Sequence, residues 1–119
     1  MLHSTAVLYE PASITMEPGC RVSAACVLTR NIHLERGVFI NLNVTIGHDV
    51  RIGACSSLMP RVNISDKVQI GREVYIGSGA TLLQGIRISD GAGAGAVVTK
   101  DVDAGACVVG VPARPLHSR

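Results

Sequence analysis

Starting at Met16 and stepping by six, the chain meets Val22, Leu28, Leu34, Ile40, Ile46, Ile52, Leu58, Ile64, Ile70, Ile76, Leu82, Ile88 and Ala94, an apolar residue at every stop. Two residues before each stop stand Cys20, Cys26, Ile32, Val38, Val44, Val50, Ser56, Val62, Val68, Val74, Ala80, Ile86 and Ala92, of which only Ser56 is polar. Side chains alternate across an extended backbone, so two inward residues flanking one outward residue make a short strand. The three residues left in each hexad must turn. A strand and a corner every six residues describe an all-β, single-stranded parallel β-helix, a three-sided solenoid of roughly 18 residues per coil and about five to six coils in this chain. Gly47, Gly53, Gly71, Gly77 and Gly95 each directly follow an inward residue, where a corner is expected to need permissive dihedrals.

The composition suits such a tube. The 119 residues include one Phe, two Tyr and no Trp, whereas a compact core of this size would recruit more rings. Val, Ile, Leu and Ala fill an interior too narrow for them. A formal net charge of +2, dispersed and without an aromatic-basic platform, argues against nucleic acid as a partner. No apolar run approaches the roughly 18 residues of a membrane span, and MLHSTAVLYEP lacks the form of a signal peptide, so the chain reads as soluble and cytoplasmic. Cys20, Cys26, Cys55 and Cys107 form no CxxC pair and no zinc spacing, and read as structural thiols.

Strand pairing brings residues about 18 apart into register at about 4.8 Å, which turns the sequence into a map. One outward face carries Arg21, Phe39, Ser57 and Tyr75, a second carries Val27, Thr45, Asn63, Thr81 and Thr99, and a third carries His33, Arg51, Gln69 and Arg87. The second face is small and neutral enough to pack against another chain. The hexads dissolve after Ala94. The chain therefore divides into coils over residues 1–98 and a C-terminal strand and loop over 99–119 that caps the open end, all in one domain.

These repeats, with INLNVTIGHDV, VYIGSGATLLQGIRI and the ending GAGAVVTKDVDAGACVVGVPAR, resemble the left-handed β-helix acyltransferases over about His3 to Leu116, most closely the NeuD-like branch of sialic acid O-acetyltransferases and bacterial sugar N-acetyltransferases. The resemblance implies the left hand of the coil and a homotrimer with sites between subunits. It also implies transfer of an acetyl group from acetyl-CoA to an amine or hydroxyl of a sugar or nucleotide-sugar, without a metal. Relatives of this kind carry an N-terminal nucleotide-sugar-binding α/β domain for which this sequence has no counterpart, so what that domain would select is expected to be recognised by the solenoid, by a separate chain, or not at all.

His48 lies two residues past Ile46, in a corner, where a side chain points outward. It matches the family's general base, and imidazole, with an unperturbed pKa of about 6.5, accepts a proton at neutral pH. The implied chemistry is direct attack of the acceptor on the thioester. Asp49 matches the acidic residue that orients this histidine; Asp66, one coil on, is a second candidate for that role and replaces a glycine whose backbone contacts the cofactor in relatives, with Arg30 one coil before. Asn41 matches an active-site asparagine that positions acyl group or acceptor, and Ser57 stands where close relatives have a second histidine. Resemblance places the cofactor groove along Gly77, Ser78, Gly79 and Ala80, then Gly95 and Ala96, with Lys100 and Arg114 available to the CoA phosphates. Ordinary corner geometry and solvated surface charge are the alternatives for these residues.

Asn41 and His48 sit at opposite ends of the Thr45 side, so they converge only if a corner of one subunit meets the other corner of its neighbour. A catalytically inactive trimeric scaffold or binding module of the same fold is the main competing reading. A zinc hydratase would need a histidine cluster that His3, His33, His48 and His117 do not supply, and an ice-binding face would need a second threonine column. A covalent route through Cys55 lacks an activating neighbour in the sequence.

Overall fold

The computed structural model describes residues 1–116 and winds them into a three-sided rod of 45 × 23 × 21 Å. The first face stacks Arg21–Val22, Phe39–Ile40, Ser57–Leu58, Tyr75–Ile76 and Gly93–Ala94, extended by Cys107–Gly110 and Ala113–Pro115. The second stacks Val7–Leu8, Val27–Leu28, Thr45–Ile46, Asn63–Ile64, Thr81–Leu82 and Val97–Val98. The third stacks Ile14–Met16, Ile32–Leu34, Val50–Ile52, Gln69–Ile70 and Arg87–Ile88. Pairing is parallel and in the hexad register through the middle coils, as in Thr45 opposite Asn63 and Asn63 opposite Thr81.

The core is the pair of inward columns. Leu28, Leu34, Ile40, Ile52, Leu58, Ile76, Leu82 and Ile88 are completely buried, each stacked on its counterpart in the next coil. Burial of such a side chain contributes roughly 1.5–3 kcal/mol relative to exposure. Ser56 breaks the apolar column without penalty, because its Oγ donates to Gly71 O at 2.7 Å and accepts the Val74 N–H at 3.0 Å. Cys20 and Cys26 serve similarly, their thiols donating to the carbonyls of Glu35 and Asn41 at 3.0 Å.

Two expectations are corrected. The left-handed backbone falls three residues after each inward stop, at Asn31, Asn43, Asp49, Cys55, Arg61, Lys67 and Glu73, with φ from 50° to 62°. The glycines directly after the stops do not adopt it; Gly47, Gly53 and Gly71 are required instead by crowding. A Cβ on Gly53 would lie 2.4 Å from the carbonyl of Gly71, and one on Gly47 would lie 2.2 Å from Asp66 Oδ1. Gly77 and Gly95 have ordinary van der Waals room.

The register also shifts at both ends. Val7 pairs with Val27, two residues beyond the repeat, and a 3₁₀ turn at Pro11–Ser13 lies in the extra length. At the other end Thr81 pairs with Val97, so Val97 rather than Thr99 completes the second face. The corner after Ala94 is two residues short: Ala96 O accepts the Thr81 N–H at 2.7 Å, as Ala80 O accepts the Asn63 N–H one coil earlier. Thr99 therefore drops into the following corner. Winding continues past it, since Val102 bridges Ile88 and Val108 pairs with Ala94, and the last described elements are the antiparallel hairpin of Cys107–Gly110 and Ala113–Pro115.

Candidate active site

The corner between the second and third faces holds His48, with Asp66 one coil later and Gln84 the next. The Asp49 backbone is left-handed, with φ of 60°, a conformation that aspartate tolerates better than most residues. This turns its carboxylate back on the neighbouring ring. His48 Nδ1 lies 2.9 Å from Asp49 Oδ2, and Nε2 lies 2.9 Å from Asp66 Oδ2. Asp66 Oδ1 also accepts the His48 backbone N–H at 3.0 Å. The imidazole is thus held between two carboxylates, with its side chain 30% exposed.

Asn31, one coil before Asp49, donates its side-chain amide to Asp49 Oδ1. That bond and the bond from His48 hold the Asp49 carboxyl below its ordinary value of 3.8. Asn31 was not anticipated from sequence, although its separation from Asp49 is the stacking distance used for Asp66. Both candidates for orienting His48 touch the ring, Asp49 at Nδ1 and Asp66 at Nε2. A side chain at position 66 occupies the space where a glycine would leave the backbone open, so the corner offers a carboxylate there rather than a bare amide.

An open groove of about 700 Å³ runs beside this corner on the second face, lined by Thr45, Gly47, Ser65, Asp66, Leu83 and Gln84. Asn41 lies at the other edge of that face, between Phe39–Ile40 and Thr45–Ile46, with its Oδ1 accepting the Leu42 N–H at 2.8 Å. Gly77, Ser78 and Gly79 lie two coils along the same edge, followed by Gly95 and Ala96. Around Gly79 there is open space, with no atom within 4 Å of a built Cβ. Ala80 differs from its neighbours: its methyl is completely buried and its N–H and C=O are bonded to Gly77 and Asn63, so it shapes the edge and offers no free group.

The remaining candidates scatter. Ser57 is half-buried on the first face between Phe39 and Tyr75. Lys100 falls on the edge that carries His48, past Asp66 and Gln84, because of the shortened corner at Gly95. Arg114 is exposed on the terminal hairpin opposite Val109. Within one chain the structure joins His48, Asp49 and Asp66 at one edge and Asn41 with the glycine run at another.

A second imidazole chain, also unanticipated, lies on the third face. His33 hydrogen-bonds Thr15 through Nδ1 and Glu17 through Nε2, the latter at 2.8 Å. The His33 bond holds the Glu17 carboxyl below its ordinary value of 4.5. Because Glu17 and Asp49 are both depressed on folding, the stability they contribute is full above ordinary carboxylate values and is lost as pH falls through the lowered ones. The melting temperature is expected to fall between about pH 5 and pH 2, and Glu17→Gln with Asp49→Asn to flatten that fall. An unaltered acid slope in the double variant would remove both pairs from the account.

Among the described residues, no three His, Cys, Asp or Glu side chains gather as a metal-binding group, and His117 lies outside them. Also among them, no helix is long and apolar enough to cross a membrane. All four thiols are free; burial pushes the Cys26 thiol up, away from reactivity, and both ring nitrogens of His48 face carboxylates rather than Cys55.

No protein-family model and no curated protein sequence matches the chain. Solved structures do. The acetyltransferase domain of PglB from Neisseria gonorrhoeae FA1090 is 33% identical with a TM-score of 0.91 over 98% of this chain and 57% of that one. The same domain in complex with acetyl coenzyme A is 32% identical with a TM-score of 0.92, over 97% of this chain and 56% of that one. PerB from Caulobacter crescentus, in complex with CoA and GDP-perosamine, is 28% identical with a TM-score of 0.92, over 98% and 56% of the two chains. The chain thus spans somewhat over half the length of these three structures. A coil of the opposite hand would not superpose at these scores, which makes the winding left-handed. In its left-handed coil and hexad repeat, the chain has the hexapeptide-repeat β-helix fold of the PglB acetyltransferase domain and of PerB.

Proposed function

We propose that the protein transfers an acetyl group from acetyl-CoA to an amine or hydroxyl of a small sugar or nucleotide-sugar, with His48 as general base. The observation that carries the reading is the anchored imidazole. Asn31 fixes Asp49, Asp49 holds Nδ1 at 2.9 Å, and the ring stands at an edge beside an open groove. A carboxylate on Nδ1 fixes the tautomer in which Nε2 serves as the proton acceptor once Asp66 Oδ2 has moved off it. The structures bound to acetyl-CoA, or to CoA with GDP-perosamine, supply the chemical context.

In the proposed reaction the acceptor attacks the thioester carbonyl while Nε2 takes its proton. The carbon–sulfur bond breaks, and CoA leaves as a thiolate that takes up a proton. The backbone along Gly77, Ser78, Gly79, Gly95 and Ala96 lines the pantetheine arm, with Lys100 and Arg114 toward the phosphates. The test is to mix the protein with acetyl-CoA and a panel of amino and neutral sugars and follow free thiol. Acetyl-CoA that is neither bound nor consumed would favour the inactive scaffold.

The active unit in this reading is a cytoplasmic homotrimer. The outward residues of the second face, Val7, Val27, Thr45, Asn63, Thr81 and Val97, are all uncharged, and Thr45 Oγ1 donates to Asn63 Oδ1 at 2.6 Å. Packing that face around a three-fold axis brings the Asn41 edge of one copy to the His48 edge of the next. Thr45→Arg would place a cation in the middle of this interface. Sedimentation is expected to fall from three times the 12.4 kDa chain mass to a single chain, with loss of thiol release. A monomer with full turnover would sink the shared site.

A further inference from the structure

The contact between Asp66 and His48 Nε2 bears on which acceptors this site takes. A corner carboxylate on a backbone amide is a recurring device in this coil. Asp90 Oδ1 accepts the Arg72 N–H at 2.8 Å, crowding Gly71 as Asp66 Oδ1 crowds Gly47. Capping the corner therefore accounts for one oxygen of Asp66 and leaves the other unexplained. Oδ2 is 2.9 Å from the nitrogen that must receive the acceptor's proton, and the Asp66 side chain is 39% exposed in the groove beside the second face.

With Nδ1 on Asp49 and Nε2 on Asp66, neither ring nitrogen is open to an acceptor. Any acceptor must displace Asp66 Oδ2 from the ring, and what replaces the lost bond depends on the acceptor's charge. A primary amine arrives at neutral pH as an ammonium ion. It can take over the carboxylate with a charge-assisted N–H bond of the same kind. A hydroxyl offers only a neutral donor for the same loss, a weaker bond. Two carboxylates at one edge also favour a cation over a neutral group.

We infer that Asp66 is the docking carboxylate for the ammonium group of the acceptor and makes the site select amines over hydroxyls. This rests on the acyl-transfer reading. As Oδ2 leaves the ring, the Nε2 proton of that bond goes to solvent and is regained when the contact reforms; R–NH3⁺ then keeps one N–H on Asp66 Oδ2 and gives a second proton to Nε2, which passes it to solvent. The freed nitrogen lone pair forms the bond to the thioester carbon. As the carbon–sulfur bond breaks, the third proton leaves nitrogen through Nε2 for the departing sulfur. The products are the amide, CoA–SH and one proton. Asp66 is not the base, because carboxylates are far weaker bases than imidazole. Its effect belongs in KM.

The experiment uses glucosamine and glucose, which differ at C2 in amine against hydroxyl, on the full chain and on Asp66→Asn and Asp90→Asn. The Asn at 66 retains an oxygen for the His48 N–H but has no charge; the Asn at 90 makes the same change at a corner without the ring. Thiol release from acetyl-CoA is expected to favour glucosamine, and Asp66→Asn to cut the amine-to-hydroxyl ratio in kcat/KM by about tenfold to a hundredfold through KM. Asp90→Asn is expected to leave that ratio alone. In the absence of acetyl-CoA, glucosamine but not glucose is expected to shift the His48 ring resonances in NMR, and Asp66→Asn to abolish the shift. Equal responses to the two sugars, or a ratio untouched by Asp66→Asn, would overturn the inference. No thiol release with any acceptor, together with the selective shift, would instead reject acyl transfer while keeping the ammonium site.

Discussion

His48→Ala is expected to lower kcat for thiol release by about 10²–10⁴-fold, the usual contribution of a positioned general base, while KM for acetyl-CoA changes little. Neither neighbouring carboxylate can substitute for the ring. Asp49 is held below its ordinary value by Asn31 and His48, which makes it a still weaker base, and Asp66 Oδ1 remains committed to a backbone amide. The imidazole projects from an edge and is no part of the buried columns, so its loss should leave the coil intact. Circular dichroism and sedimentation of the variant are expected to match the parent. An unchanged kcat would end the assignment of His48 as the base.

Gly53→Ala is expected to have the largest effect on stability of any single methyl added to this chain. The new Cβ would stand 2.4 Å from both C and O of Gly71 and 2.7 Å from Arg72 N. These are backbone atoms of the next coil, which no rotamer change can move aside. Relief requires the two coils to separate, and the Gly53 N–H bond to Ile70 O, now 2.8 Å, would stretch with them. A cost of roughly 3–5 kcal/mol follows from overpacking joined to a weakened ladder. For a chain of this length that lowers the melting temperature by on the order of 10–20 °C. Gly79→Ala provides the comparison. Its Cβ meets open space, so only its φ of +72° opposes the methyl, at about 1–2 kcal/mol. Equal melting temperatures for the two variants would show that coil spacing does not depend on this crowding.

These two residues mark different depths of legibility in the sequence. The corner position of His48 and its neighbour Asp49 were legible in the repeat, but its role as base came only from the match to the family motif; a stacking distance of one coil pointed onward to Asp66. Asn31 was reachable by the same arithmetic in the other direction. Gly53 was visible as a corner glycine, but for the wrong reason. A glycine in a sequence does not reveal whether it is needed for a positive φ or for a missing Cβ. The positive φ belongs to residues such as Asp49 and Cys55, three places after the stop, while Gly53 is needed by the coil that follows it.

What the sequence determined alone was the triangular winding, the two inward columns and the assignment of most outward residues to faces. Alternation along a strand and a constant six-residue step are local properties that each hexad states for itself. Only the tertiary structure decided that Val97 displaces Thr99, because a corner shortened at Gly95 changes the register of everything after it. It alone decided that Asp49 takes Nδ1 and Asp66 takes Nε2, since those bonds depend on side-chain torsions and the spacing of coils. A periodic sequence carries its repeat in every copy, whereas hydrogen bonds between coils exist only once the coils are stacked.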